Sequence, residues 1–578
     1  MKNDVRQLLD RHFDTAFAAP DGIKKLRELI LTLAMQGKLV AQDPKDPPAS
    51  ELLKEIEAEK KRLTRRREGA KGKSAKIKEL PTIKPEEVPY ELPEGWRWVR
   101  LGGITDYNGR KKIAGDMIAP DTWVLDLEDI EKETSRVLHR AKFSERQSKS
   151  TKSSFSKGDV LYGKLRPYLD KVVVADDDGV CTTEIVPIAP FTCILPEFLK
   201  WLLKRPAFLA HVNSLMYGVK MPRLGTEDAV MSIHPLPPLP EQNRIVAKID
   251  ELMARCDDLE KLRTEREHLR LSVHTAAIQQ LLDEAASASF ASSRLRVSQF
   301  LFSHFEDLYT VKENITELRK AILQLAVMGK LVPQDPNDLP AIKLLKEIEA
   351  EKKRLVKAGK INQPKPLPGI KPEEEPYELP EGWEWVQFEN VVDIGSGVAK
   401  GRNLAGKNVI SIPYLRVANV QRGFLDLDEI KKIEIADNEV DKYSLRFGDL
   451  LITEGGDWDK VGRACIWREE ISLCVHQNHI FRARKFFHEQ NEVWLEKYLN
   501  SPIARIYFAG ASKQTTNLAS INKTQLRSCP VPIPPLPEQH RIVAKIDQLM
   551  ALCDELEKQT NATTSKQTAL LDALMAKV

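Results

Sequence analysis

The sequence is poor in the features that mark several classes of protein. It has only seven cysteines among 578 residues, and none of them forms a C-x-x-C motif, which disfavours a disulfide scaffold, a thioredoxin site and a zinc ribbon. No apolar run approaches the roughly 18 residues of a transmembrane helix. The first residues also lack the apolar core of a secretory signal peptide, so we expect a cytoplasmic protein.

The sequence also lacks an excess of charge of one sign. The 88 lysines and arginines nearly balance the 84 acidic residues, which leaves a net charge of +4. This balance does not indicate a nucleic-acid-binding protein, but it is compatible with one whose basic residues are concentrated on one face. The length predicts about four domains at roughly 150 residues each.

What the chain does have is a tandem duplication. Three blocks occur twice: 23–63 with 315–355 (29 identities in 41 positions), 89–96 with 376–383 (PYELPEGW in both), and 235–261 with 532–558 (22 identities in 27 positions). A repeat of half the chain indicates a duplicated large module rather than a solenoid of short repeats. We call these repeated blocks the frame.

Between the frame blocks lie two inserts, 97–234 and 384–531. They share little beyond the pairs Gly158-Asp159 and Gly448-Asp449. Random drift after duplication would have altered the frame as well as the inserts. A near-identical frame around divergent inserts therefore indicates a scaffold that presents two different binding surfaces.

The last frame block of each half has the apolar spacing of a long helix. Its apolar residues follow the 4-3-4-3 spacing of a coiled-coil seam. They include Ile245, Ile249, Leu252 and Leu259 in the first half and Ile542, Ile546, Leu549 and Leu556 in the second. We expect the two helices to pair as an antiparallel coiled coil, with a core helix of each half as the alternative. The prolines at 235–240 and 532–537 mark the helix starts, the alternative being a ligand for an SH3-type domain.

The first frame block is predicted to be a helical hairpin with a proline-rich turn. A basic, low-complexity stretch, 64–84, follows the first hairpin. Its composition predicts a flexible linker. An arm that touches DNA phosphates is the alternative.

Both inserts contain short β-type runs separated by turns, followed by one helical stretch each. The runs begin at Trp123, Asp159 and Lys171 in the first insert and at Tyr414, Asp449 and Gly462 in the second, and the helical stretches are 196–203 and 492–499. We predict an α+β fold in which two compact α/β domains, related by a pseudo-twofold duplication, are separated by long α-helices.

Polar and aromatic residues are dense in the predicted loops of both inserts. Arginine and lysine bind guanine edges and phosphates, whereas asparagine and glutamine bind adenine edges. A single residue of this kind is usually a solvated loop residue, so the prediction of DNA binding rests on their density. The candidates are Arg110, Lys111, Lys112, Tyr162, Lys164, Arg166, Tyr168, Lys220, Arg223, Arg416, Asn419, Gln421, Arg422, Glu454, Lys460, Arg463, Gln477, Asn478, His479, Lys513, Gln514, Thr515, Thr516, Asn517 and Asn522.

The chain resembles a known family, the DNA-specificity subunits (HsdS) of Type I restriction–modification systems. The resemblance covers nearly the whole chain. The motifs that carry it are LPEGW at 92–96 and 379–383, PLPPLPEQNRIVAKID at 235–250, KGDVLYGKLRPYLDKVVVA at 157–175, YLRVANVQRG at 414–423, FGDLLITEGGDWDKVGRACIW at 447–467 and KQTTNLASINKTQLRSCPVPIPPLPEQ at 513–539.

The resemblance implies a non-catalytic subunit with one target recognition domain in each half, each domain reading one half of an asymmetric, bipartite DNA site. It implies two methylation subunits (HsdM), which use S-adenosylmethionine to methylate adenine at N6, and restriction subunits (HsdR), which use ATP and Mg²⁺ and join through them. The chain itself would bind none of these cofactors. The implied domains are 1–63 (helical), 64–91 (basic linker), 92–234 (first recognition domain), 235–285 (central long helix), 286–378 (second hairpin and linker), 379–531 (second recognition domain) and 532–578 (C-terminal long helix).

Motifs for chemistry of the chain's own are weak. Asp46-Pro47-Pro48-Ala49 is similar to the adenine-methylating loop of a self-contained methyltransferase but lacks its aromatic residue. Gly395–Gly401 lacks the G-K-S/T ending of a phosphate loop. His476 and His479 form a metal pair without an identifiable third ligand. The acidic run Glu454–Lys460 is similar to a nuclease site but has no counterpart in the first insert. A scaffold that does not bind DNA is the remaining alternative.

Overall fold

A computed structural model describes residues 14–71, 80–146, 149–215, 222–286, 303–304, 308–456, 460–515 and 518–577. The chain divides into two compact units. Unit 1 comprises Met1–Thr264 with Thr563–Val578, and unit 2 comprises Glu265–Ala562. In each unit the insert shares one core with the frame blocks around it.

The helices of each half follow the duplication. In the first half they span Gly22–Met35, Ala49–Lys71, Leu101–Ile104, Phe143–Arg146, Pro196–Lys204, Pro206–Leu215, Thr226–Met231 and Leu239–Ala286. In the second half they span Lys312–Val327, Ala341–Lys357, Val440–Tyr443, Glu492–Leu499, Pro502–Ala511, Lys523–Arg527 and Leu536–Met575. We call Leu239–Ala286 the central helix and Leu536–Met575 the C-terminal helix.

The strands are numbered in chain order, β1–β11 in unit 1 and β12–β23 in unit 2. Unit 1 contains β1 Arg97–Arg100, β2 Thr105–Tyr107, β3 Lys112–Ile113, β4 Trp123–Leu125, β5 Ala141–Lys142, β6 Lys152–Phe155, β7 Val160–Gly163, β8 Val172–Val174, β9 Gly179–Cys181, β10 Ile185–Pro190 and β11 Ile233–Leu236. Unit 2 contains β12 Glu384–Gln387, β13 Val392–Ser396, β14 Val409–Leu415, β15 Lys431–Ala436, β16 Leu450–Thr453, β17 Gly455–Gly456, β18 Ala464–Ile466, β19 Val475–His476, β20 Ile480–Lys485, β21 Lys513–Thr515, β22 Leu518–Ser520 and β23 Pro530–Ile533.

The first helix of each hairpin in the frame is followed by a glycine. The first hairpin helix ends at Met35, and Gly37 adopts a left-handed φ of +68°. A Cβ atom on Gly37 would lie 2.4 Å from Cγ of Pro93, and one on Gly329 would lie 2.4 Å from Cγ of Pro380. Glycine is therefore required at both helix ends, by conformation and by space.

The two inserts share a fold that their sequences conceal. Each contains a four-stranded antiparallel sheet, in the order β2-β10-β7-β8 in unit 1 and β13-β20-β16-β18 in unit 2. Each also contains a second sheet built around one parallel pair, β4 with β9 and β14 with β19. Unit 1 extends this second sheet by β3 and β6, whereas unit 2 adds a small sheet of β17, β22 and β21.

The two sheets of each insert enclose an apolar layer. In unit 1, Leu161 and Val173 of the first sheet lie in one cluster with Leu125 and Cys181 of the second. A corresponding cluster in unit 2 joins residues of β14, β16 and β18. Alternating apolar residues explain this packing, because every second side chain of a strand points to the same face. All seven cysteines are buried.

The proline-rich segments have a second structural role that the sequence does not reveal. Before the central helix begins at Leu239, Ile233–Leu236 pairs as β11 with β1, with Trp98 opposite Pro235. In unit 2, β23 pairs with β12 in the same way. These strands join the two ends of each insert, so that the insert enters and leaves the frame at one place.

The seam residues of the long helices pack first against their own half. Ile245 and Ile249 are fully buried in one core with Trp96 and Phe198, and Ile542 and Ile546 are fully buried in the corresponding core of unit 2. Leu252, Leu549 and Leu556 are partly buried there. In contrast, Leu259 is 47% exposed, so it does not belong to this buried seam. The pairing of the two helices with each other stays a prediction.

Each long helix contributes to the cores of both units. The end of the C-terminal helix packs in unit 1, where Leu571 and Leu574 lie in one cluster with Ala16 and Phe17. The end of the central helix packs in unit 2, where Ile278 and Leu282 contact Ala321. The α+β class, with two sheet-rich domains and long helices, is confirmed.

The predicted basic linker is partly helical. The second hairpin helix runs from Ala49 to Lys71 and so includes the first residues of the stretch that we predicted to be flexible. A run of lysine, arginine and glutamate favours helix as much as disorder, because all three have high helix propensity. The rest of the stretch up to residue 79 lies outside the described residues.

Candidate nucleic-acid interface

The frame repeats its polar contacts as well as its sequence. The indole Nε1 of Trp96 donates to Oε2 of Glu241 at 2.9 Å, and that of Trp383 donates to Glu538 at 3.0 Å. Burial raises the pKa of both carboxyl groups, and the indole hydrogen bond partly offsets that effect. Each insert therefore begins from a tryptophan that is fixed to the start of its long helix.

A second repeated contact fixes the hairpin turn. Nη2 of Arg244 lies 2.6 Å from Oδ2 of Asp46, and Nη2 of Arg541 lies 2.6 Å from Oδ2 of Asp338. Asp46 opens the string that is similar to a methyltransferase loop. Since its carboxylate is held by Arg244 and its copy has the same contact, the string has a role in the frame.

The Gly-Asp pair that the inserts share forms the same turn in both. Asp159 Oδ2 accepts from the backbone N–H of Ser156 at 2.9 Å, and Asp449 Oδ2 accepts from that of Arg446 at 2.7 Å. Both aspartates are 1% exposed. The shared pair is therefore an anchor for the start of the central strands β7 and β16.

An arginine neutralises each of these aspartates. Arg110 binds both carboxylate oxygens of Asp159, at 2.7 and 2.5 Å, and Arg484 binds both oxygens of Asp449, at 2.7 and 2.6 Å. The ion pair with Asp159 raises the pKa of Arg110. Arg110 therefore stabilises the fold of the first insert, and the prediction that it contacts DNA stays a prediction.

The other ends of β7 and β16 carry most of the remaining candidates. In the first insert the backbone N–H of Lys164 donates to Glu184 O at 3.0 Å, and that of Leu224 donates to Lys164 O at 3.1 Å. Arg223 pairs with Glu184 through Nε and Nη2, at 3.0 and 3.1 Å. Burial lowers the pKa of Lys171, whose Nζ donates to the carbonyl of Leu127 at 2.7 Å.

The second insert repeats this backbone pattern with different side chains. The N–H of Glu454 donates to His479 O at 3.0 Å, and that of Ile521 donates to Glu454 O at 2.9 Å. Nδ1 of His479 lies 2.5 Å from Oε2 of Glu454. Nη1 of Arg463 donates to Oε1 of Gln421 at 2.6 Å.

The backbone hydrogen bonds place Lys164, Lys171 and Glu184 at the same positions of the fold as Glu454, Arg463 and His479, and Arg223 and Gln421 bind side chains of these groups. We call them the strand-end cluster, made of Lys164, Lys171, Glu184 and Arg223 in the first insert and of Gln421, Glu454, Arg463 and His479 in the second. Lys164 stands where the second insert has Glu454, and Glu184 stands where it has His479. One backbone thus presents two different sets of donors and acceptors.

The other candidates of the first insert fall into two groups, one at each end of β7. Arg166, with a left-handed φ of +49°, and Tyr168, which is 45% exposed, follow Lys164 in the chain. Lys111 and Lys112 are exposed beside Arg110, at the opposite end of β7. The four residues of β7 separate the two groups by about 13 Å. Lys220 lies outside the described residues.

Two predicted contact residues belong to the interior. Tyr162 is 4% exposed and packs against Phe208, and burial raises the pKa of its hydroxyl. Asn419 is 3% exposed, and its Nδ2 donates to the carbonyls of Asp426 and Glu429. Both predictions are corrected, because polar atoms that close a turn or a core are unavailable to DNA.

The remaining candidates of the second insert lie on several loops and on β21. Nη2 of Arg416 lies 2.8 Å from Oε2 of Glu429. Gln477 and Asn478 are half-buried between β19 and β20, Arg422 is half-buried and Lys460 is exposed. Lys513, Gln514 and Thr515 form β21, which extends the small sheet next to Glu454. Asn522 caps the helix that follows, and Thr516 and Asn517 lie outside the described residues.

The two histidines of the H-x-x-H string, His476 and His479, have separate partners. His476 is 1% exposed, and its Nδ1 is bonded to the carbonyl of Ile480. Burial lowers the pKa of His476 to about 4, whereas His479 faces Glu454. Within the described ranges no group of three histidine, cysteine or acidic side chains is arranged to hold a metal. Asp457 and Asp459 of the acidic run lie outside these ranges.

Sequence reasoning missed Glu184 and Lys171. A signal for Glu184 was present, because Cys181-Thr182-Thr183-Glu184-Ile185 has the length of His476-Gln477-Asn478-His479-Ile480. The N–H of Thr182 donates to Leu125 O as that of Gln477 donates to Leu415 O, which establishes the match. Lys171 had no signal, since it lies within a run that resembles a plain strand.

Sequence comparison with known proteins identifies the family. The family model for the Type I restriction modification DNA specificity domain matches residues 380–564. The specificity subunit of the Type I restriction enzyme EcoAI of Escherichia coli is 35% identical over 96% of this chain and 93% of its own length. The chain belongs to the Type I restriction–modification DNA specificity subunits. The specificity subunit of EcoEI, also from Escherichia coli, is 33% identical over the same shares of both chains.

Solved structures of the same family are more distant. A crystal structure of the HsdS subunit from Thermoanaerobacter tengcongensis has 21% identity and a TM-score of 0.41, covering 84% of this chain and 98% of its own. A structure from a study of complex assembly and conformational transition in the Type I restriction–modification system has 22% identity and a TM-score of 0.48. The match covers 85% of this chain and 98% of the other. Among the described helices of this specificity subunit, none combines the length and the apolarity that crossing a membrane requires.

Proposed function

We propose that the two inserts read two different halves of one bipartite DNA site. The observation that carries this proposal is the strand-end cluster, where matching backbone positions present different side chains. Proteins that read DNA need a fixed scaffold, which positions them on the duplex, and variable side chains, which contact base edges. The duplicated frame supplies the first property and the strand-end cluster supplies the second.

The chemistry of the two clusters predicts different preferences. Lys164 and Arg223 supply cationic donors that suit the O6 and N7 atoms of guanine, and Glu184 supplies an acceptor that suits the amino group of cytosine. In the second insert, Glu454 and Gln421 combine an acceptor with an amide that suits adenine. The two half-sites should therefore differ in sequence, which makes the target asymmetric.

We further propose that catalysis lies in partner subunits. Two methylation subunits would carry S-adenosylmethionine and methylate adenine at N6, and restriction subunits would use ATP and Mg²⁺ to cleave DNA, all in the cytoplasm. The relatives named above are specificity subunits of Type I restriction enzymes, which supports an assembly of this kind. Methylation would require the target adenine to leave the base stack.

The long helices are proposed to set the distance between the half-sites. The central helix has 48 residues, which correspond to about 72 Å at 1.5 Å per residue. Half-sites one helical turn apart have centres about 34–36 Å apart. A rigid element of this length is sufficient to keep two recognition domains at such a spacing.

The proposal is tested by mapping N6-methyladenine across a genome, in cells that carry a partner methylation subunit with or without this chain. The expected result is a bipartite, asymmetric motif that depends on the chain. Exchange of residues 97–234 for the insert of a relative should change one half of the motif only. Absence of any chain-dependent motif, together with absence of sequence-dependent DNA binding, would support the scaffold alternative.

A matched pair of variants tests the strand-end cluster itself. Lys164→Gln removes one cation from the cluster, whereas Lys157→Gln removes one cation from an exposed position at the opposite end of β7. We expect Lys164→Gln to alter the first half-site by about 1–3 kcal/mol of discrimination, and Lys157→Gln to leave it unchanged. Equal motifs for both variants would place base reading elsewhere on the insert.

A further inference from the structure

One buried lysine of the first insert gathers two loops. Lys204 ends the helix Pro196–Lys204 and is 7% exposed. Its Nζ donates to Glu133 O at 2.7 Å, Ser135 Oγ at 2.8 Å and Asp170 O at 3.0 Å, and it pairs with Asp170 Oδ2 at 2.6 Å. A single ammonium group thus ties the turn 131–136 to the loop 166–170.

These two loops are held in an unfavourable backbone conformation. Glu133, Ser135, Arg166 and Asp170 have φ angles of +64°, +59°, +49° and +50°. Left-handed backbone costs about 1–2 kcal/mol for each residue other than glycine. The loops therefore depend on tertiary contacts for their shape, and Lys204 contacts three of these four residues. The loop 166–170 also carries Arg166 and Tyr168, next to the strand-end cluster.

The helix that ends in Lys204 is fixed to the frame. Nε1 of Trp201 donates to Asp250 Oδ1 of the central helix at 3.1 Å. The N–H of Leu195, just before the helix, donates to Gln242 Oε1 at 3.1 Å. A continuous path of contacts therefore runs from the central helix through this short helix to both loops.

The second insert places Asn500 at the same point. Asn500 follows the helix Glu492–Leu499, its Nδ2 donates to Ala464 O at 2.8 Å, and its Oδ1 accepts from Ala464 N at 3.2 Å. Ala464 O also accepts from the N–H of Gly423, in the turn after Gln421. The helix is again fixed to the long helix of its own unit, here by Lys497 with Asp547 at 3.1 Å.

The match between Lys204 and Asn500 follows from the helix contacts. Trp201 and Lys497 each lie three residues earlier and bind the equivalent aspartates Asp250 and Asp547 of the long helices. Backbone contacts match the loops as well. Gly163 N donates to Lys171 O, and Thr453 N donates to Arg463 O, so Asp170 corresponds to Gly462. Gly462 has the same left-handed conformation, with φ of +69°. Where the second insert has a glycine and an amide, the first has an aspartate and a buried lysine.

We propose that Lys204 and Asn500 are positioning residues for sequence recognition, each fixing the base-reading loops of its own insert to the frame. This inference rests on the proposed function of the inserts. A recognition site must be held within about 0.5 Å by the residues behind it. When the tie is removed, the loops should adopt several shapes, and the half-site read by that insert should become less specific.

The test uses the full-length chain with a partner methylation subunit and maps N6-methyladenine for Lys204→Met and for Asn500→Ala. Lys204→Met should relax the half-site of the first insert, with about tenfold less discrimination at one or more positions, and should leave the other half-site unchanged. Asn500→Ala should do the reverse. Each variant is therefore the matched control of the other.

Two outcomes would overturn the inference. Both half-sites remain as strict as in the wild type, or both relax equally in each variant, as general destabilisation would produce. The melting temperature of each complex is measured alongside, because a purely structural residue would lower it without a one-sided change of motif. If the wild-type chain itself yields no motif, the proposed function has failed rather than this inference.

Milder variants decide the matter if Lys204→Met prevents assembly. Ser135→Ala removes one acceptor of Lys204, together with the hydroxyl's bonds to Asp170 O and Val172 N, with little change of volume. Asn500→Asp keeps the acceptor for Ala464 N while removing the donor to Ala464 O. Each should relax its own half-site in the same direction and to a smaller extent. Unchanged half-sites in both variants would overturn the inference.

Discussion

The frame and the inserts of this protein preserve different things. The frame preserves residues: the contact between Trp96 and Glu241 returns as that between Trp383 and Glu538. The inserts preserve backbone hydrogen bonds while the side chains change, as at Lys164 and Glu454. The side chains at the strand ends can therefore differ completely, provided that the strand order and a few turn-forming residues remain.

The largest expected effect tests whether the two frames are equivalent. Trp96→Ala and Trp383→Ala each remove a buried indole and leave a buried glutamate without its donor. We expect each to destabilise its own unit by about 3–5 kcal/mol. Hydrogen exchange measured by mass spectrometry, unit by unit, checks this. A large effect for one tryptophan with a small effect for the other would show that the frames differ in energy despite their shared sequence.

A smaller effect should separate the two Gly-Asp anchors. Asp159→Asn and Asp449→Asn keep an acceptor for the turn but remove the charge that binds Arg110 or Arg484. Breaking a buried pair costs about 3–5 kcal/mol. The side chain of Arg110 is 35% exposed and that of Arg484 is 22% exposed, so the cost should be discounted, and more for the first insert. Thermal unfolding of both variants checks the order, and an equal or reversed order would contradict it.

Lowering the pH should destabilise the second insert through a buried histidine that the first insert lacks. His476 stands where the first insert has Cys181, and burial lowers its pKa to about 4. Because an unfolded histidine has a pKa of about 6.5, the stability that neutral His476 provides is complete above that pH. It is lost as the pH falls toward 4, by on the order of 1–3 kcal/mol.

The variant His476→Cys, which installs the residue of the first insert, should weaken this dependence. The melting temperature of the wild type should fall more steeply between pH 7 and pH 5 than that of the variant. Burial also lowers the pKa of His234 in unit 1, so part of the acid sensitivity should remain in the variant. Identical slopes for the two proteins would show that His476 does not titrate as its burial requires.

The smallest effect on stability should accompany a change of specificity. Arg416 is 23% exposed and its partner Glu429 is 68% exposed, so Arg416→Ala should cost less than about 1 kcal/mol. We expect the second half-site to change or weaken in methylation maps while the complex remains assembled. A normal rate and a normal motif would exclude Arg416 from DNA recognition.

The sequence alone was sufficient for the elements that local patterns determine. The repeats predicted the frame, the strand runs at Trp123, Asp159 and Asp449 were found as strands, and the helix predicted at 492–499 has those bounds. The long helices were evident from their apolar spacing. These features depend on residues that are close in the chain, so that periodicity and turn chemistry are adequate guides.

The common fold of the inserts could not be predicted, because it depends on pairing between distant strands. The match of Lys204 with Asn500 is an example, since the two residues differ in charge and size and are recognised only through the hydrogen bonds around them. Tyr162 and Asn419 failed as surface predictions for a related reason. Polarity in the sequence does not reveal whether a group faces solvent or closes a turn.

The burial of the cysteines makes the comparison of the two units measurable without any substitution. Cys256 and Cys553 occupy the same place in the central and C-terminal helices, and burial raises the pKa of both thiols. A buried thiol reacts with a labelling reagent only when the structure around it opens, so its rate of modification reports the free energy of that local opening. The duplication thus supplies the protein with a matched pair of internal reporters, one for each unit.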